Sequence, residues 1–218
     1  MAHRQFTEID FSSVTAGKKI QNKSGKGHTV KLSGSSGSTI SGKTPFLLCR
    51  FGINTEEVAA RDGLEGYSKR SLRPSLDGYS ENEQLGQFVN SVKQMDNTII
   101  DIAIKNPQWF GEDDIDKKLA RKLYVPMFKE KEKKDDKNVK YYSFKGKLTS
   151  KTKAYNTEKP PKAVDIDDYL KPYSEVKCLI EITGLWFVGD KFGPSVIIHQ
   201  VQIIQSEGRQ ETCAFETD

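Results

Sequence analysis

Apolar and polar positions divide this chain into strands, one long helix and several polar connections, and the clearest pattern is the last. In residues 175–205, Val176, Cys178, Ile180 and Ile182 alternate with Lys177, Glu181 and Thr183, which predicts a half-buried strand. The run from Val196 to Ile204 carries Val and Ile on both parities, as a strand covered on both faces does. Gly189-Asp190-Lys191 between the two predicts a hairpin. Trp186, Phe187, Lys191 and Phe192 place rings and a cation beside Gly189 and Gly193. Such rings are either core fillers at a barrel corner or platforms on which bases stack.

Upstream, Phe6 to Val14 and Thr29 to Leu32 are short β-like pieces suited to an edge hairpin, and residues 33–44 (SGSSGSTISGKT) read as a Gly/Ser loop. Residues 45–54 predict a core strand. Residues 55–79 form a polar excursion that interleaves Tyr67, Lys69, Arg70, Arg73 and Tyr79, either a surface loop or a phosphate-contacting one. Ser80 with Glu83 has the form of a capping box. From there Leu85, Phe88, Val89, Val92, Met95, Ile99, Ile102 and Ala103 recur at helical spacing until Asn106-Pro107 stops them. A shorter helix is expected over 113–123, where Ile115, Leu119 and Leu123 repeat every four residues.

The formal net charge of +4 is unevenly placed: residues 129–162 hold 12 Lys against 5 Asp or Glu, a local +7 that leaves −3 for the rest. A local basic stretch is the footprint of a polyanionic partner or a solvated loop. Residues 129–139 have no apolar periodicity and are expected to be a mobile loop. In the strand that follows, Tyr142, Phe144, Gly146 and Leu148 share one face, and Tyr141, Lys145 and Lys147 lie partly on the other; Lys151, Lys153 and Tyr155 continue the mixture. Rings to stack bases and cations to neutralise phosphates are what a single-strand platform requires. The candidate single-stranded DNA contacts are therefore Lys69, Arg70, Arg73, Lys140, Tyr142, Phe144, Lys145, Lys147, Lys151, Lys153, Tyr155, Trp186, Lys191 and Phe192. Lys133, Lys134 and Lys137 add charge nearby.

Other chemistry is sparse. Cys49, Cys178 and Cys213 form no C-x-x-C pair, and His3, His28 and His199 are scattered, so no metal or His-based catalytic set is expected. Asp165, Asp167 and Asp168 read as turn and cap residues. Gly37 to Thr44 matches the Walker A pattern literally, but apolar β-like sequence follows it where a phosphate loop opens a helix. Mean hydropathy is −0.63, and no run approaches the roughly 18 apolar residues of a membrane helix. The first residues lack the apolar core of a signal peptide, so an intracellular protein is expected. The length suits one domain over 1–205, with 206–218 a mobile tail.

This order of elements suggests a mainly β fold with an α insertion: an OB-fold, a five-stranded Greek-key barrel, with a long helix packed on it and extended basic loops. The chain resembles the single-stranded DNA-binding proteins of nucleocytoplasmic large DNA viruses of the algal-virus and giant-virus type, themselves similar to the helix-destabilising protein of short-tailed phages. The resemblance rests on Pro45-Phe46-Leu47-Leu48 with Phe51-Gly52, Trp109-Phe110-Gly111, Leu123-Tyr124 with Pro126, Lys145-Gly146-Lys147, and Gly184-Leu185-Trp186-Phe187 with Lys191-Phe192-Gly193. It spans roughly residues 45–205. It implies binding of single-stranded DNA without sequence preference, coating it during viral replication, recombination or repair in an infected cell. No catalysis, cofactor or membrane is implied. Replication proteins are expected partners through the tail, and a homodimer is left open. The phage-type proteins end in a strongly acidic tail closed by an aromatic residue; here Phe215 is followed by Glu216-Thr217-Asp218. The rival readings are a viral structural or adaptor protein with a basic loop, and a P-loop nucleotide-binding enzyme, which requires a helix from Thr44.

Overall fold

The C-terminal hairpin is the centre of the sheet. The computed structural model describes residues 3–22, 25, 27–59, 66–132 and 140–205. Its strands are β1 (Thr15–Gln21), β2 (His28–Ser33), β3 (Ile40–Cys49), β4 (Ile53–Val58), β5 (Tyr67–Leu72), β6 (Lys129–Glu132), β7 (Lys140–Ser143), β8 (Gly146–Tyr155), β9 (Ala163–Val164), β10 (Ser174–Val188) and β11 (Lys191–Ile204). The helices are α1 (Glu83–Ile104), α2 (Lys117–Leu123) and α3 (Ile166–Tyr169). β10 and β11 are joined by the two-residue turn Gly189-Asp190, with Gly189 at φ 58°, a conformation that suits glycine. β10 also pairs antiparallel with β2 and β3, and β11 pairs parallel with β8.

Two pairs of short strands are halves of longer ones. β4 pairs with β5 from Ile53↔Leu72 onward, and beyond the bend at residues 50–52 Ser75 N–H donates to the Leu48 carbonyl at 2.7 Å, so β3 and β4 run along one neighbour. β5 pairs with β8 at Leu72↔Gly146, and the isolated bridge Ser75↔Ser143 keeps that register across the bend between β7 and β8. Five strands result, β3/β4, β5, β7/β8, β11 and β10, each paired with the next and β10 returning to β3. An antiparallel meander of three, with its third strand parallel to the fifth, is a Greek-key barrel of the OB type. The protein is mainly β, with α1, α2 and β6 inserted between the second and third barrel strands, and the β1–β2 hairpin extends the sheet beyond β10.

The apolar stripe of α1 closes the barrel. Phe88, Val89, Val92, Met95, Ile99 and Ala103 are fully buried, and the Phe88 ring meets Phe6 at 5.5 Å and Phe144 at 5.9 Å. Burying each large side chain contributes about 1.5–3 kcal/mol. The helix begins later than the capping-box pattern suggests: Asn82 is the N-cap, its side chain accepting from Leu85 N–H at 3.0 Å. α2 likewise starts at Lys117, capped by Asp116, and is shorter than the expected 113–123. The segment after α2 is tied back to α1 by Asp96, which is 8% exposed and accepts from the Tyr124 hydroxyl and from Met127 N–H. Burial pushes its carboxyl up to about 6, partly offset by these hydrogen bonds.

Three sequence expectations are corrected. Phe6 to Val14 is not one arm of an edge hairpin; it forms two 3-10 turns that insert Phe6 and Phe11 into the core, and the hairpin is β1 with β2. Residues 33–44 are not all loop: Ser33 ends β2, Ser35–Gly37 is a 3-10 turn, and β3 starts at Ile40. The Walker-like stretch therefore ends in a strand where a phosphate loop needs a helix. Thr44 is buried, donating to its neighbour Pro45 O and accepting from Cys178 N–H, so the helix that the nucleotide-binding rival requires is absent from this place. Residues 129–132 of the expected mobile loop form β6, paired with β7. Lys133, Lys134, Lys137 and the tail 206–218 lie outside the described residues. Asp165 caps α3 by accepting from Asp167 N–H, as its sequence context predicts.

Candidate nucleic-acid interface

Strand parity decides which side chains face out. On β5, Leu72 is fully buried, so Tyr67, Lys69 and Ser71 lie on the opposite, outer face, and Arg73 continues their spacing. On the next strand Gly146 and Leu148 face in, so Lys145 and Lys147 face out. Ser71 pairs directly with Lys147. With Leu72 opposite Gly146 and Ser75 opposite Ser143, the same register sets Arg73 opposite Lys145. Lys69, Arg73, Lys145 and Lys147 thus gather on one outer face, and none forms an ion pair among the described residues. The Lys147 ammonium is held below the usual lysine range, first by desolvation and then by the like charges of Lys69 and Lys145. The one carboxylate in the row is Glu56, opposite Lys69 on β4.

One exposed ring lies beside these cations, and a second candidate ring lies apart from them on β10. Tyr67 is 56% exposed, with the Lys69 ammonium 5.8 Å from its ring centroid. Trp186 of β10 is half-buried opposite Gly193, where a Cβ would lie 3.0 Å from the indole, and its Nε1–H donates to Pro194 O at 3.1 Å. Glycine there leaves room for the indole against the sheet.

Lys151, Lys153 and Tyr155 lie further along β8. Residues 149–152 bulge outward: Thr152 donates its hydroxyl to Ile198 O at 2.7 Å and accepts from Thr149 N–H, leaving Lys151 exposed. Past the bulge, pairing links Tyr155 to Gln202, Gln202 to Lys177 and Lys177 to Phe46, one outer row across β8, β11, β10 and β3. Lys177 sits 5.6 Å from the centroid of the Phe46 ring, which is 38% exposed. The structure thus separates Lys153 and Tyr155 from the Lys69–Lys147 cluster.

The other candidates lie away from this face or are turned to the core. Phe144 and Phe192 are fully buried, Phe144 against Phe88 and Phe192 stacked on Phe187 at 5.6 Å, so neither offers a face to a base. The alternation that groups Tyr142, Phe144 and Leu148 is real, but their face is the core face. Tyr142 is half-buried in a cluster with Phe128, stacked at 5.3 Å, and Tyr79, edge-on at 5.1 Å. Arg70 has the parity of the core face and forms an ion pair with Asp167. Lys191 donates to the Lys122 carbonyl at 2.9 Å, at the end of α2. Lys140 lies on β7, its side chain outside the described set. Tyr67 is missing from the sequence-derived candidates, although the period-two series Tyr67, Lys69, Ser71, Arg73 is legible in the sequence.

Among solved structures, the chain is similar to the single-stranded DNA-binding protein from bacteriophage Enc34 in complex with ssDNA, at 12% identity and a TM-score of 0.48, with 89% of this chain and 96% of that chain covered. That likeness is too loose to carry residue roles across. No curated protein matches the chain. A family model does match, over residues 82–214, which take in the helical insertion and the last three barrel strands: the chain belongs to DUF5871, a family of unknown function.

Proposed function

We propose that this protein binds single-stranded DNA without sequence preference, holding the strand on the outer face of β5 and β8. The observation that carries the reading is the gathering of Lys69, Arg73, Lys145 and Lys147 on that face, none of them in an ion pair among the described residues, with the exposed ring of Tyr67 beside them. In an OB barrel this is the face of the second and third strands, the surface that such barrels offer to oligonucleotides. Cations held together at mutual cost are stabilised when phosphates replace their counterions. An exposed ring offers its π-face to any base.

The finer reading is a non-enzymatic protein of the algal-virus and giant-virus type that coats and protects single strands during replication, recombination or repair in an infected cell. It rests on the sequence resemblance and on a mechanism that contains no bond-making step. Phosphates are bound by charge, bases by stacking, and the strand leaves unchanged.

Fluorescence anisotropy with labelled oligothymidine, titrated at several salt concentrations against duplex DNA of equal length, tests the reading. Preference for the single strand, with log affinity falling linearly in log salt, supports it. Equal binding to both forms leaves a generic basic surface, and no binding to either at moderate salt turns the reading towards an adaptor protein.

A further inference from the structure

Ser71 breaks the pattern of its row. It points outward, like Tyr67, Lys69 and Arg73, yet those three are exposed and Ser71 is 2% exposed. Its hydroxyl is buried and has no hydrogen-bond partner among the described residues. Burying an unsatisfied hydroxyl destabilises the fold, so such a group in a native protein calls for an explanation.

The surroundings supply one. Lys147 is the direct cross-strand neighbour, with Cβ atoms about 4.5–5.5 Å apart in such pairs. Lys69 and Arg73 are the next residues of the same face, about 7 Å away along the strand. On the far side Ser71 faces Asn54 of β4. Lysine and arginine side chains only donate, and a serine hydroxyl has one proton to give. The Ser71 hydroxyl and the surrounding cations are donors with no bonded acceptor among the described residues, although the Asn54 amide oxygen and the Glu56 carboxylate opposite Lys69 border the group, and the like charges of Lys69 and Lys145 already weigh on Lys147. A tetrahedral oxyanion supplies acceptors to all of them at once and relieves the repulsion.

We propose that Ser71 is the floor of a discrete phosphate site, its hydroxyl donating to a non-bridging oxygen of one phosphodiester whose charge is met by Lys69 and Lys147. This deepens the single-strand reading and rests on it: one phosphate is fixed in position by a directed hydrogen bond, and its neighbours are held by charge alone.

The test is Ser71→Ala in the full chain, with Ser71→Cys as a variant that keeps the volume and weakens the donor. Removing an unsatisfied hydroxyl leaves the urea midpoint unchanged or raised. Affinity for oligothymidine falls about tenfold in Ser71→Ala, the size expected for a hydrogen bond to a charged group. The slope of log affinity against log salt stays the same, because every cation is retained. In parallel, pyrophosphate is titrated against the backbone amide NMR signals of Ser71 and Lys147; saturable shifts are expected in the parent and not in Ser71→Ala. Unchanged oligothymidine affinity together with unchanged pyrophosphate shifts overturns the site. Should the parent fail to bind oligothymidine while pyrophosphate still saturates and Ser71→Ala abolishes it, the single-strand reading falls and the phosphate site stands.

Discussion

The Tyr124 hydroxyl donates to the Asp96 carboxylate at 2.5 Å, joining the end of α2 to the middle of α1. Asp96 is charged at neutral pH in a buried place, and the folded chain holds its proton to higher pH than the unfolded chain does. A raised carboxyl pKa stabilises the fold below the unfolded value, and that contribution is lost as pH rises through the folded value. With the shift from 3.8 to about 6, the stability from this group falls by about 2 kcal/mol between pH 4 and pH 7. Asp96→Asn keeps an acceptor for Tyr124 and Met127 and flattens this slope, read by urea unfolding at several pH values. Asp96→Ala leaves both donors unpaired and costs about 1–3 kcal/mol.

Lys147→Ala and Lys69→Ala each remove one cation from the β5–β8 face. Each is expected to lower the slope of log affinity for oligothymidine against log salt by about 0.7 for every phosphate it no longer neutralises. Lys191→Ala, which frees a carbonyl at the end of α2, leaves that slope unchanged. Anisotropy titrations at four salt concentrations separate the two outcomes.

Rings in the core and rings on the surface give opposite results. Tyr67→Ala weakens oligothymidine binding by about 1–3 kcal/mol, the worth of a base stacked there, with a small effect on unfolding. Phe144→Ala and Phe192→Ala cost about 3–5 kcal/mol of stability by opening cavities, and binding by the protein that remains folded is unchanged. Denaturant midpoints set beside binding isotherms distinguish the classes.

Gly42 matches a phosphate-loop glycine in sequence and serves packing in the fold. A Cβ there would lie 2.6 Å from Phe6 Cα and 2.8 Å from Phe6 N, both backbone atoms. Gly42→Ala is expected to lower the melting temperature by several degrees by pushing away the segment that carries Phe6, whereas replacing the half-buried Lys43 by Ala leaves it within about 2 °C.

How much was legible follows from the range of each signal. The terminal hairpin and α1 were readable because their periodicity is local and long, and Val176, Cys178, Ile180 and Ile182 all face the core as their alternation requires. The ends of elements were not, because capping is settled by backbone geometry: Ser80 fits the pattern, but Asn82 holds the position. Phe6 read as strand because burial and β propensity select the same residue types. The basic face was half legible. Lys69, Arg73, Lys145 and Lys147 come from two distant stretches, and only the register Ser71↔Lys147 brings those stretches together. Phe144 and Lys145 are adjacent in sequence, and alternation alone does not say which of the two faces is water.

The placement of β10 bears on how the chain reaches its native state. Cys178 N–H is bonded to Thr44, 134 residues earlier, and β11 lies beside β8, so the first and third barrel strands acquire their second neighbours only from the final hairpin. On a growing chain those edges stay open until β10 and β11 have been made. Pairing over such separations closes large loops and is slow. Until then the apolar face of α1 and the unpaired edges of β3 and β8 are exposed together, a species prone to aggregate. Assembly is therefore governed by the last barrel strands to appear, and truncation within them removes the barrel and not merely its edge.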